Sequence, residues 1–198
     1  MEIEEVKPSV EYIDSFGSDL DIVKSAQITF DSTREVDIDN FINQLLKNEH
    51  LTPFEFCVYK LKVTCSIYTA RQWMRHRTGT FAEVSGRHVL KHSYILPDIE
   101  LDDNTKNMFI KSVKDSFDTY NTLINNGVKK EDARGVLPLC SSTTFLWKTD
   151  LRNLIHFLKL RCDKHSQLEI RNLSNEILKI VSKYNPCVYR GIKNNDIV

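Results

Sequence analysis

An α+β fold, with a small, mainly antiparallel sheet packed with several helices, follows from three patterns in these 198 residues. The stretch "CVYKLKVTCSI" (57–67) alternates: Cys57, Tyr59, Leu61, Val63, Cys65 and Ile67 share one face, Lys60, Lys62, Thr64 and Ser66 the other. That period of two predicts a half-buried strand, of the kind antiparallel sheets use. Longer segments carry apolar residues three or four apart, and these helical patterns outnumber the strand patterns. No repeat or low-complexity linker divides the chain, and its length suits one hydrophobic core. Residues 1–198 are therefore expected to form a single domain.

The elements follow in order. Residues 18–30 predict a short helix with Ser18 as N-cap. Residues 37–48 predict another, starting at Asp37 or Asp39, with Ile38, Phe41, Ile42, Leu45 and Leu46 on one stripe. After the alternating strand, "IYTARQWMRH" (67–76) suits a helix and "VLKHSYILP" (89–97) a second strand. Residues 103–126 predict a long helix through Phe109, Val113, Phe117, Tyr120 and Ile124. Residues 130–137 predict a short helix ended by Pro138. "LCSSTTFLW" (139–147) is ambiguous. Residues 150–161, capped by Asp150, and 165–183 predict two further helices.

Composition narrows the function. Apolar residues make up 41% and charged residues 27%, as in ordinary soluble globular proteins. A formal net charge of zero disfavours general binding to nucleic acid or to a membrane surface, and leaves room for a local basic site. The five cysteines are scattered and form no CxxC, which points to a reduced, cytoplasmic protein. The N-terminal "MEIEEVKPS" has no apolar signal region, and no apolar run is long enough to cross a membrane. Neither GxxxxGK[ST] nor GxGxxG occurs. Cysteine and histidine lack zinc spacing, so no metal is expected. No triad setting surrounds Ser85 or the cysteines.

One stretch stands apart from this neutral background. "RQWMRHRTGTFAEVSGRH" (71–88) holds Arg71, Arg75, Arg77, Arg87, His76 and His88 beside a lone acid, Glu83. On a helix Arg71 and Arg75 would share a face, with Gln72 beside Arg75 and His76. Guanidinium forks there suit phosphate. "TGTFAEVSGR" follows as a polar turn, where Ser85, Gly86 and Arg87 offer a hydroxyl, close backbone approach and another guanidinium. Two phosphate grips separated by a loop suggest one nucleotide or two. The competing reading is a solvated basic helix with surface ion pairs, and the scarcity of nearby acids weighs against it.

A second constellation is "TDLRNLIHFLKLRCDKHSQLEIR" (149–171). Arg152 and His156 are i,i+4 neighbours, as are Arg161 and His165. At ~100° per residue, Arg152 and Arg161 point to opposite sides of one helix. If both are functional, that helix lies between two parts of a site or between two subunits. Taken alone, the motif is better read as rim charges on a helix whose Leu151, Leu154, Ile155 and Leu158 fill the core.

Residues 75–87 resemble the signature RHRxxSxNxxSxR of the flavin-dependent thymidylate synthases. They read Arg75-His76-Arg77-Thr-Gly-Thr80-Phe-Ala82-Glu83-Val-Ser85-Gly-Arg87. "AQITFD" (26–31), "EHLTPFEF" (49–56), "ARQWMRHR" (70–77), "ARGVLPL" (133–139) and "LRNLIHFLKLRCDKHSQLEIR" (151–171) are similar to further family blocks, in family order. The resemblance implies that family's fold and a homotetramer with FAD sites built between subunits. It implies reductive methylation of dUMP to dTMP, with carbon from methylenetetrahydrofolate and electrons from NADPH through FAD. No enzyme nucleophile attacks the pyrimidine in this family, in keeping with the missing triad.

By the same resemblance, Gln72, Arg75, Ser85 and Arg87 match positions that bind dUMP phosphate and sugar. Glu83, Val84 and Gly86 belong to that loop, and Arg134 matches another nucleotide-binding arginine. Arg161 matches the catalytic arginine that polarises the uracil ring, where a fixed cation stabilises developing negative charge. Arg75, His76 and Arg77 match FAD contacts, with Thr29, His50, Thr52 and Glu55 as further candidates. Asp150, Arg152, His156 and His165 match positions around the flavin ring.

The chain also departs from the family pattern. Thr80 replaces the motif serine and keeps a hydroxyl, whereas Ala82 replaces the asparagine and removes a donor and an acceptor. Asp150 stands where asparagine is expected; ionised, it accepts hydrogen bonds but donates none. Phe56 replaces a frequent histidine and Leu168 a frequent tryptophan. The changes gather near the cofactor and the motif loop. They bear on substrate and product more than on nucleotide binding. Thymidylate synthesis leads. Another C5 modification of a pyrimidine nucleotide, such as hydroxymethylation, is the alternative, and a non-catalytic nucleotide-binding homologue is a third reading.

Overall fold

The computed structural model describes residues 3–29 and 31–198. The chain divides into two compact units: residues up to Ser9 with Val63–Arg75 and Ala82–Phe145, and Val10–Lys62 with His76–Phe81 and Leu146–Val198. In chain order the elements begin with β1 (Glu4–Glu5), β2 (Ser9–Phe16), α1 (Asp19–Ile28) and α2 (Ile38–Lys47). A 3-10 turn over Thr52–Phe56 leads into β3 (Val58–Ser66) and α3 (Ile67–Trp73). Then come β4 (Thr80–Glu83), β5 (Ser93–Tyr94), α4 (Asp103–Asn125) and α5 (Lys130–Ala133). β6 (Ser142–Asp150), α6 (Leu151–Arg161), α7 (Leu168–Tyr184) and α8 (Pro186–Asn194) complete the chain. The α+β expectation holds: helices outnumber strands, and a small antiparallel sheet takes the order β2–β3–β6–β4. Separately, β1 and β5 pair parallel, with Glu4 opposite Ser93.

The alternation of β3 is realised. Tyr59, Leu61, Val63 and Cys65 are buried while Lys60 and Lys62 are exposed. The ambiguous 139–147 resolves as the start of β6, where Thr143, Phe145, Trp147 and Thr149 are buried and Leu146 and Lys148 exposed. Its threonines and aromatics suit a pleated surface, and buried threonine masks the period of two when only apolar residues are counted.

In the first unit, Val113 and Phe117 of α4 pack with Tyr94 and Cys140. Asp102 caps α4 by accepting from Thr105 N–H at 3.0 Å. The expected strand over 89–97 shrinks to Ser93–Tyr94, and the expected helix over 130–137 splits into α5 and a 3-10 turn at Arg134–Val136.

In the second unit, α2 and α7 pack against α8, and α6 against α7. The helix foreseen over 18–30 is described to Ile28; its expected end at Phe30 lies outside the described residues. Ser18 N–H donates to Asp21 at 2.8 Å at its start. Sequence periodicity did not reveal α8. It buries only Val188, Gly191 and Ile192, begins at Pro186, and is tied in by Gly191, where a Cβ would come within 2.6 Å of Leu46 Cδ1 on α2. A buried polar chain supports its start. Tyr59 Oη donates to Asn185 Oδ1 at 2.5 Å, Asn185 Nδ2 to Asp19 Oδ1 at 3.1 Å, and Cys187 N–H to Asp19 Oδ2 at 2.8 Å. The carboxylate thus accepts the Cys187 N–H in the first turn of α8, where negative charge is favoured.

Three local expectations are corrected. α3 stops at Trp73 rather than 76, so Arg75 lies beyond the helix and shares no helical face with Arg71. The chain is drawn off by tertiary contacts: His76 to Arg161, and Gly79 to Trp147. The supposed polar turn after it contains β4. α7 begins at 168 rather than 165, so Arg161 and His165 are not one helical turn apart. Asp163 makes the break, accepting from His165 N–H at 2.7 Å, while Ser166 N–H donates to Asp163 O at 2.9 Å. Among the described residues no helix is long and apolar enough to cross a membrane.

Candidate functional site

In the first unit the motif loop is built from its own backbone and pinned from α5. Past β4, Val84 N–H donates to Thr144 O at 2.9 Å. Ser85 then turns the chain: its carbonyl accepts from His88 and Val89 N–H at 3.2 and 3.0 Å, and its hydroxyl from Arg87 N–H at 3.3 Å. Arg87 Nε and Nη2 both donate to Glu131 Oε2, at 3.0 and 2.8 Å. Lys130 Nζ donates to His88 O at 3.1 Å, and Arg134 Nε to Glu131 O at 3.2 Å.

Gly86 sits under two cations. A Cβ there would lie 3.4 Å from Arg134 Nη1 and 3.4 Å from Lys91 Cε. Glu83 accepts from the Thr143 hydroxyl at 2.6 Å. Burial, joined by the Arg134 guanidinium, holds Lys91 below its ordinary range, against the pull of Glu83. Glu83, Ser85, Gly86, Arg87 and Arg134 are thus brought together. Val84 is exposed on the same loop, Gln72 is half-buried on α3, and Arg75 is exposed just past it. Lys91, Glu131 and Thr143 were not anticipated. Lys91 is the next cation after "SGR" apart from His88 and was open to notice; Glu131 and Thr143 are far away in sequence.

The second unit gathers most of the proposed cofactor residues. His76 is half-buried, and its Nε2 accepts from Arg161 Nε–H at 3.0 Å. Its ring meets Phe157 edge-on at 4.9 Å and His156 at 6.2 Å. Burial, then the charges of Arg161 and His156, push His76 down to about 4. Arg152 and His156 lie one turn apart on α6, both exposed, and Arg152 pairs with Glu55 from the 3-10 turn that Thr52 opens. A cavity of about 600 Å³ is lined by Arg152, His156, Lys159, Lys47 and Leu46, among others.

Asp150 is committed to structure. Its carboxylate caps α6, accepting from Asn153 N–H at 2.9 Å and Asn153 Nδ2 at 2.7 Å. Thr29, His50, Arg77 and His165 are exposed, at the end of α1, after α2, after α3 and in the turn after α6. Among the described residues, Arg75, Arg77 and Arg134 enter no ion pair, whereas Arg87 and Arg152 do.

Residues 11–187 match the profile of the thymidylate synthase complementing proteins. The flavin-dependent thymidylate synthase of Ehrlichia ruminantium is 36% identical over 92% of this chain and 69% of its own. The chain belongs to the flavin-dependent thymidylate synthase family. The Thermus thermophilus member is 35% identical, over 96% of this chain and 77% of its own. Among solved structures, the UMP/dUMP methylase PolB from Streptomyces cacaoi, bound with 5-Br dUMP, superposes with a TM-score of 0.90 at 26% identity, covering 99% of both chains. Against the flavin-dependent thymidylate synthase signature, the lost asparagine side chain at Ala82 falls on an exposed position of β4, and Thr80 is exposed on the same strand.

Proposed function

We propose that the protein converts dUMP to dTMP by flavin-dependent reductive methylation, with methylenetetrahydrofolate as carbon donor and NADPH as reductant. Residues 1–198 act as one domain of a cytoplasmic homotetramer with sites at subunit interfaces. Exposed apolar side chains such as Phe16, Phe56, Leu139 and Leu160 support assembly. The observation that carries the reading is Arg134, exposed and in no ion pair among the described residues, lying with Lys91 against Gly86 of the Ser85–Arg87 turn. Such cations fit phosphate esters.

The residues present suit both nucleotides. Gln72, Arg75, Ser85, Gly86, Arg87 and Arg134, with Glu83 and Val84 in the same loop, hold the dUMP phosphate and sugar. Thr29, His50, Thr52, Glu55, Arg75, Arg77, Arg152, His156 and His165 hold FAD, with Asp150 shaping the start of α6 beside them. When bound, the flavin supplies redox chemistry, drawing electrons from NADPH. Arg161 presents a fixed cation to the uracil ring, stabilising the negative charge that makes C5 nucleophilic.

A second reading, methylation of UMP as well as dUMP, is favoured by the UMP/dUMP methylase neighbour. Flavin-loaded protein incubated with methylenetetrahydrofolate, NADPH and either dUMP or UMP separates the readings by mass spectrometry of the nucleotide. A methyl product from dUMP is expected. A hydroxymethyl product, or none at full flavin occupancy, overturns the proposal. Arg161→Ala should lower kcat by ~100-fold or more while bound flavin survives.

A further inference from the structure

We infer that His76 is a positioning residue for Arg161, its neutral imidazole accepting from Nε–H and fixing the plane of the guanidinium. The inference rests on the catalytic role proposed for Arg161, and it gives His76 a task besides the flavin contact that the family resemblance implies.

The geometry is specific. Arg161 closes α6, where a long side chain has many rotamers and the helix ceases to constrain it. Its Nε–H meets His76 Nε2 at 3.0 Å. Arginine only donates, so Nε2 must carry a lone pair and the ring proton must sit on Nδ1. A bond through Nε also orients the two terminal nitrogens, because the guanidinium is planar.

The imidazole is itself fixed. It meets the ring of Phe157 edge-on at 4.9 Å, and Phe157 is fully buried. Phe157 and Arg161 are four residues apart on α6 and share a face, so one imidazole touches both. The charged and titratable groups around it are Arg161 and His156 from α6. Arg75 and Arg77 flank it in the chain, and among the described residues no carboxylate is one of the groups that shift it. Burial and the charges of Arg161 and His156 disfavour the imidazolium. Burial first, and the guanidinium after it, keep the imidazole neutral, and the neutral imidazole receives the guanidinium.

The test uses the flavin-loaded protein, with wild-type turnover of dUMP measured first. Failure there defeats the proposed function and not this inference. His76→Leu removes the acceptor; it should lower kcat by roughly 10–100-fold, with KM for dUMP within about threefold and flavin occupancy retained. His76→Gln supplies an amide oxygen and should recover about tenfold of that loss. The inference falls if His76→Leu loses flavin in step with activity, keeps full kcat, or is matched by a folded His76→Gln.

A second measurement needs no turnover. Ring ¹⁵N spectra of His76 should show protonated Nδ1 and unprotonated Nε2. Arg161→Ala should raise the His76 titration midpoint by roughly one pH unit or more, since a facing cation is removed. An Nε2–H tautomer, or an unmoved midpoint, overturns the inference whatever the protein catalyses.

Discussion

Gly86→Ala separates a binding glycine from a packing glycine. The added methyl would lie 3.4 Å from Arg134 Nη1, 3.4 Å from Lys91 Cε and 3.5 Å from Arg134 Cδ. These are van der Waals distances to flexible side chains, so the fold should change by no more than ~0.5 kcal/mol. The same methyl lies between the loop backbone and two cations that face the proposed phosphate. A hydrogen bond to a charged group contributes ~1.5–3 kcal/mol, so displacing one such contact should raise KM for dUMP roughly 10- to 100-fold. Thermal unfolding and dUMP saturation kinetics on the same preparation read both quantities. A KM within about twofold of wild type, in a folded variant, would remove Gly86, Lys91 and Arg134 from the phosphate site. A large loss of Tm would make Gly86 a packing residue instead.

Gly79→Ala should behave oppositely, because its Cβ would fall 2.5 Å from Trp147 Nε1 and 3.2 Å from Lys148 O. Overpacking there costs about 1–3 kcal/mol and should lower Tm by roughly 3–10 °C in a thermal melt. Tyr59→Phe leaves the buried Asn185 Oδ1 without its donor, so urea unfolding should show a loss of about 1–3 kcal/mol. His76 titrates at about 4 in the folded protein against 6.5 ordinarily, so between those values the unfolded chain binds a proton that the folded chain does not. Stability should therefore fall as pH drops from 6.5 towards 4, and denaturation curves of His76→Gln should lack that one-proton slope. Burial pushes the Cys57 thiol up to about 12, so alkylation near pH 8 should be slow in the folded protein and fast once unfolded.

Regular periodicity was legible and tertiary capture was not. The alternation of β3, the stripe of α2 and the long α4 each repeat often enough to outvote local exceptions. α3 ends early because its C-terminal chain is held by partners distant in sequence, Arg161 for His76 and Trp147 for Gly79, whereas α7 starts late because of a local turn at Asp163. β2 carries no clear apolar alternation because none of its residues is buried, α8 buries only Val188, Gly191 and Ile192, and 139–147 stays ambiguous because threonine occupies buried positions of β6. Of the site, the loop residues Glu83 to Arg87 were legible through the family signature, which is contiguous. Lys91, Glu131 and Thr143 carry no such mark, since only folding brings them to the loop. Asp150 was legible as a helix cap, and its carboxylate accepts from Asn153 N–H at 2.9 Å.

The acids that the motif lacks nearby are supplied from elsewhere, and unevenly. Arg87 finds Glu131 and Arg152 finds Glu55, while Arg75, Arg77 and Arg134 make no ion pair among the described residues. Both pairs are exposed, with side-chain accessibilities of 59% and 37% for the first and 48% and 43% for the second. Pairs this exposed contribute ~0–1 kcal/mol, less than a charge-assisted bond to a phosphate. Surrendering Glu131 therefore costs Arg87 little when a phosphate arrives, yet until then the carboxylate holds the guanidinium at the loop. Glu131 also receives both Nε and Nη2 on a single oxygen, which sets the plane of the fork. A glutamine at 131 would preserve that orientation through its amide oxygen. A carboxylate adds charge that a phosphate must displace, so the same substitution should tighten dUMP binding if Arg87 changes partner, and leave it unaltered if Arg87 serves only to pin the loop.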